Sequence, residues 1–231
     1  GARSVDDGAA PEYPPFGALF YYYFATDAPG GEVTLEILDE TGNLVRSYSS
    51  DSTATDLRPR GSSILSDETG MHRFAWDLRY PGPIAVEEGA NGGRGPMAMP
   101  GIYQVRVTAG GSSETRRFEL KIDPRVADDN ITMADLQEQF KLNSRIRDRI
   151  TELRRGVRQI RSVRTDLEEG GSRSNQEIIR SLTEIEEALV QTEEGKVGAQ
   201  LRPMLMRQLT YLYGMLMNAD QKPGRDAHQR L

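Results

Sequence analysis

Residues 118–143 read FELKIDPRVADDNITMADLQEQFKLN, and the rhythm of apolar residues changes within them. Phe118, Leu120 and Ile122 alternate with polar neighbours, the two-residue period of a strand with one buried face. From Met133, Leu136 and Phe140 onward, apolar residues recur every three or four positions, which is the period of a helix. The change falls at Asp123-Pro124-Arg125, where proline brings no amide proton to a continuing ladder. The sequence thus predicts an α+β multidomain chain, with a β module before residue 125 and a helical module after it.

Working back from that point, the same alternation recurs. Val33, Leu35 and Ile37 share one face, as do Phe74, Trp76 and Leu78, and Tyr103, Val105 and Val107. Glycine-bearing turns, Glu40-Thr41-Gly42-Asn43 and Gly110-Gly111-Ser112, read as hairpins. The apolar run FGALFYYYFA, residues 16–25, is about half the length a membrane span needs and rich in strand-forming aromatics, so it reads as a buried strand. Six or seven short strands without an intervening helix predict an antiparallel immunoglobulin-like sandwich over residues 16–125, preceded by an extended leader, 1–15. Two long connections, 50–71 and 79–100, are rich in Gly, Pro and Ser. Loops of that length pack on a neighbour, stay mobile or bind a ligand.

Working forward, residues 126–131 read as a linker. Thr132 with Asp135 has the form of a capping box, and the stripe through Ile146, Ile150, Leu153, Val157, Ile160 and Leu167 predicts one helix to about Glu169, roughly 55 Å long at 1.5 Å per residue. Gly170-Gly171 ends it. Ser174 with Glu177 repeats the cap, Ile178, Leu182, Ile185 and Leu189 mark a second helix to Gly195, and Leu201, Leu205, Leu209, Leu212 and Leu216 mark a third that begins near Gln200, with Pro203 in its first turn. Residues 132–231 are therefore expected to form an up-down-up three-helix bundle whose last segment, KPGRDAHQRL, starts like a further helix and is truncated.

The 231-residue chain carries a net charge of −6 and no cysteine, which excludes disulfides and thiolate metal sites and argues against a surface built wholly for nucleic acid. Charge is nonetheless uneven. Residues 141–167 hold nine basic side chains against three acidic ones, and residues 175–194 hold six glutamates against one arginine. One reading pairs the basic first helix with the acidic second; the other offers an arginine face to an acidic partner or to nucleic acid. His72 and His228 are the only histidines, and no GxGxxG, P-loop or HExxH pattern occurs. No catalytic residue, cofactor site or metal site is expected. Met204, Met206, Met215 and Met217 read as core filling or as an adaptable docking surface.

The runs PPFGALFYYYF, VTLEILDETGNLVRSYSS, HRFAWDLRYPGP, GPMAMPGIYQVRVTAGG, KIDPRV and MADLQEQFKLNSRIRDRI together resemble the C-terminal region of large bacterial proteins with sortilin-like, Asp-box (BNR-repeat) β-propellers, often labelled glycosyl hydrolases. The sandwich part also resembles the small immunoglobulin-like domain of flagellar-hook capping proteins. The resemblance implies export to the periplasm or cell exterior and a propeller ahead of Gly1. No Asp-box is found in this chain, so no catalytic position of that family transfers to it.

The expected function is a non-catalytic interaction module that docks or stabilises a larger extracytoplasmic assembly. Its partner would be the propeller of its own polypeptide or a subunit of a membrane complex, with no nucleic acid and no span of its own. Tyr80, Arg94, Met97, Met99, Arg154, Arg158, Arg161 and Met206 are the candidate contacts. The alternative is an accessory region of a glycan-active exported enzyme, contacting sugar through Trp76, Tyr80 and the loop from Pro81 to Pro100.

Overall fold

A computed structural model describes residues 16–25, 31–51, 65–87, 89–171, 175–190 and 204–229. The leader, most of the 50–71 connection, Ser174, Gly195 and the expected start of the third helix at 200–203 lie outside the described residues.

Among the described residues six strands come first: β1 (Ala18–Phe24), β2 (Val33–Asp39), β3 (Leu44–Ser49), β4 (Gly70–Trp76), β5 (Gly101–Ala109) and β6 (Ser112–Leu120). They form two antiparallel sheets, one of order β1-β4 and one of order β3-β2-β5-β6. The turn chemistry accounts for both tight hairpins. Gly110 and Gly111 take φ of 56° and 79° between β5 and β6, the left-handed pair that a two-residue hairpin loop requires. Between β2 and β3 the Asp39 carboxylate accepts hydrogen bonds from Thr41 N, Thr41 Oγ1, Asn43 N and Asn43 Nδ2 at 2.7–3.0 Å.

The two sheets share one apolar core. Val33, Leu35 and Ile37 of β2 meet Phe74 and Trp76 of β4 and Tyr103 of β5 there, all buried. Aromatic contacts cross between the sheets, Phe20 to Phe118 at 5.1 Å and Trp76 to Tyr103 at 5.7 Å between ring centroids. β1 is a correction to the expected buried strand. Phe20, Tyr22 and Phe24 pack inward, whereas Tyr21 and Tyr23 face solvent. An apolar run hides the two-residue period, and tyrosine, with its hydroxyl, tolerates either face.

Five helices follow among the described residues: α1 (Pro124–Asp128), α2 (Met133–Glu169), α3 (Asn175–Leu189), α4 (Leu205–Met217) and α5 (Arg225–Gln229). α1 was expected as linker. It forms because Asp123 caps it, accepting from Arg125 N at 2.9 Å, and because Pro124 stands at its start, where the missing amide proton costs nothing. The capping box of α2 is present in both directions, Asp135 N to Thr132 Oγ1 at 3.1 Å and Thr132 N to Asp135 Oδ2 at 3.0 Å. α2 and α4 bury Leu142, Ile146 and Ile150 against Leu209, Leu212, Tyr213 and Leu216, with Ala227 of α5 closing one end. Gln139 ties the same elements, donating through Nε2 to Leu216 O and Ala219 O at 2.7 Å each.

α3 departs from its expected stripe. Ile178 and Ile185 are exposed, and the most buried side chain of the helix is Glu186, at 2% exposure. That carboxylate is held by two arginines of α2, Arg161 Nε at 2.6 Å and Arg164 Nη1 at 2.7 Å. Two charge-assisted bonds satisfy a carboxylate that burial alone would strongly disfavour.

Candidate functional site: the seam between sheets and helices

The connection between β4 and β5 is a compact body of its own. Tyr80 N donates to Pro96 O at 2.9 Å and Ala98 N to Leu78 O at 2.7 Å, so the outgoing and returning runs lie side by side. Three glycines permit that approach. A Cβ on Gly82, Gly92 or Gly95 would overlap the carbonyl oxygen of Gly93, Pro83 or Tyr80 respectively.

This folded loop lies along α2. The Tyr80 ring meets the Phe140 ring at 5.0 Å, and Ile84 N donates to Thr151 Oγ1 at 3.4 Å. Arg154 then gives Nη1 to two loop carbonyls, Ile84 O and Gly92 O, at 2.6 Å each. Arg158 Nε reaches Val86 O at 2.7 Å, and Arg161 Nη1 reaches the Glu87 carboxylate at 2.8 Å. Positions 151, 154, 158 and 161 are spaced by three or four, so a single face of α2 presents all four to the loop. On the returning run Tyr213 of α4 donates its hydroxyl to Arg94 O at 2.9 Å.

The electrostatics follow from burial. Arg154 loses hydration in the seam and its pKa falls below the usual arginine value, the Glu87 carboxylate opposing the fall. Arg161 moves the other way, its hydrogen bond to Glu186 outweighing desolvation. Glu87 is held below the usual carboxylate range first by its hydrogen bond from Arg161. The Tyr213 hydroxyl is pushed up by burial.

Beside the clamp, a cleft of about 590 Å³ opens between the two halves. Leu78, Met97 and Met99 from the loop, Pro100 and Leu120 from the β part, and Leu136, Phe140 and Leu216 from the helices form its apolar wall. Arg79, Gln139 and Asn143 are polar groups on the same wall. Asn143 is 5% exposed, and its Oδ1 is buried without a hydrogen-bond partner.

The residues expected as partner contacts are, apart from Met206, engaged within the chain around this seam. Arg154, Arg158 and Arg161 bind the loop, Tyr80 packs on α2, Met97 and Met99 line the cleft, and the Arg94 carbonyl accepts from Tyr213. Met206 packs against the α2–α4 core. Trp76 is fully buried between the sheets, with Nε1 donating to Arg79 O at 3.2 Å, so it offers no ring face to a sugar. No group of His, Asp or Glu spaced to hold a metal ion occurs among the described residues, and no described helix is long and apolar enough to cross a membrane.

One further surface lies away from the seam. On the outer face of the β1-β4 sheet, Tyr23 stands opposite Met71 and Tyr21 opposite Arg73. Tyr21, Tyr23 and Met71 are 61%, 64% and 73% exposed. Alternation counted from the buried Phe74 and Trp76 would have placed Arg73 and Met71 outside, and pairing brings the two tyrosines beside them. No family model, curated protein or solved structure matches this chain.

Proposed function

We propose that the chain is a non-catalytic interaction module that docks onto a larger extracytoplasmic assembly through the outer face of the β1-β4 sheet. In this reading the β part is an immunoglobulin-like sandwich and the helical part a bundle, and the arginine clamp makes them one rigid carrier. The partner is a protein, either a propeller of the same polypeptide or a subunit of a membrane-bound complex. The observation that carries the reading is the cross-strand group Tyr21, Tyr23, Met71 and Arg73, three of them apolar or aromatic and more than half exposed. Tyr, Met and Arg are the residue types enriched in interface cores, and side chains held on paired strands give up little conformational freedom on binding.

Photo-crosslinkers placed at positions 21 and 71 of the native polypeptide test this. A single discrete protein adduct is expected from both, with none from position 117 on the exposed strand β6. The Y21S/Y23S/M71S variant should lose the partner while its melting temperature stays close to the parent's, as is usual for exposed substitutions. Equal labelling from all three positions would remove the docking face.

A further inference from the structure

The cleft at the seam has features that docking through the sheet does not use. Its volume, about 590 Å³, lies within the range of small-molecule sites, roughly 300–1,000 Å³, and like them it combines apolar side chains with polar and charged groups. One of those groups is unsatisfied. Asn143 lines the cleft, and its Oδ1 is buried with no hydrogen-bond partner; orphan acceptors in an interior are rare because each carries a desolvation cost.

A second polar group is underused. The half-buried guanidinium of Arg79 has five donors; its one hydrogen bond to a described residue runs from Nη1 to Gly95 O at 3.0 Å, and Asp77 and Asp220 act on its charge without a hydrogen bond to it among the described residues. Of the other charged residues of the cleft, Asp123 is already tied to Arg125 at 2.6 Å, which weakens its opposition to an incoming anion, and Lys121 offsets the charge of Asp220. The lining is adaptable, since Met97 and Met99 contribute flexible thioether side chains.

We propose that this cleft binds a small ligand with an apolar, ring-sized body, an N–H or O–H group donating to Asn143 Oδ1 and an anionic group meeting Arg79. The proposal stands independently of the docking face, because none of its residues lies on the outer side of the β1-β4 sheet.

Three probes separate the contributions on the full chain. Indole-3-acetate carries ring, donor and carboxylate; 1-naphthaleneacetate lacks the donor; 3-methylindole lacks the carboxylate. Titrations followed by nuclear magnetic resonance should show indole-3-acetate binding about tenfold more tightly than either of the others, the worth of one well-made hydrogen bond in a buried site. Asn143→Leu should erase the advantage over 1-naphthaleneacetate while raising the melting temperature, since it removes an unsatisfied acceptor. Arg79→Met should erase the advantage over 3-methylindole, and Met97→Trp, which fills the cleft, should abolish binding of all three. Asn143→Ala serves the same purpose if leucine is not accommodated. Equal affinity of the three probes, absence of binding, shifts confined to residues away from the cleft, or an Asn143→Leu protein that melts lower and keeps the donor preference would each overturn the assignment.

Discussion

Arg154 shows how much a single side chain holds at the seam. It bridges Ile84 O and Gly92 O, one from each run of the loop, so it fastens the loop to α2 and the loop to itself. Arg154→Ala leaves both carbonyls without that donor and should cost about 1.5–3 kcal/mol, the usual worth of hydrogen bonds to a charged group. Arg154→Lys should recover only part of this, because an ammonium lacks the planar spread of a guanidinium. Urea unfolding of the two variants measures both, and an alanine variant as stable as the parent would show the bridge to be idle. The sequence marked Arg154, Arg158 and Arg161 as contacts and offered the pairing of the basic helix with the acidic one, but it did not name these acceptors. The spacing of Arg154, Arg158 and Arg161 marks one helical face, but their acceptors are mostly backbone carbonyls, which every residue carries and no residue type announces. The carboxylate partner was equally concealed, since Glu186 among five other glutamates of its segment has nothing in its identity that marks it as buried.

Elements whose cause is local were readable. The Thr132–Asp135 box, the Gly110-Gly111 turn and the end of α2 at Gly170 each depend on residues within four positions of one another, and each formed where expected. α1 was missed although its signals are equally local, because a single turn has too few residues to show a period. Its cap has a consequence for pH. The Asp123 carboxyl is held at about 2, below its ordinary 3.8, first by the side-chain hydrogen bond from Arg125. A depressed folded-state pKa means that the stabilisation is present above about pH 4 and is lost as the pH falls towards 2. The Arg125 amide resonance should therefore titrate near pH 2 together with loss of α1 helicity. A midpoint near 4 would mean that the cap is not formed in solution. The strands β2, β5 and β6 were legible from alternation, whereas the unbroken apolar and aromatic run of β1 showed no period and was read as a buried strand with no outer face assigned.

At the scale of the whole molecule, the sequence divides where the period changes, but the structure is joined some distance from that division. The β4–β5 loop belongs by chain order to the sheets and by contact to the helices, through Tyr80, Arg154, Arg158, Arg161 and Tyr213. Seams of this kind cannot be seen by summing local preferences, because the contacting residues lie 60 to 120 positions apart, as with Arg154–Gly92 and Tyr213–Arg94. Cooperative behaviour should follow. Sheet and helix signals in circular dichroism should melt at one temperature in the parent chain and separate in Arg154→Ala. Two transitions already present in the parent would show the halves to be energetically independent.

The position of that loop also decides what a cut in the backbone would do. Scission between Asp129 and Ile131 severs the covalent path from β6 to α2 yet leaves the loop lying along α2 under its arginines. The two fragments would be retained as a nicked heterodimer and travel together through gel filtration until denaturant released them, so the chain could be assembled from separately made pieces.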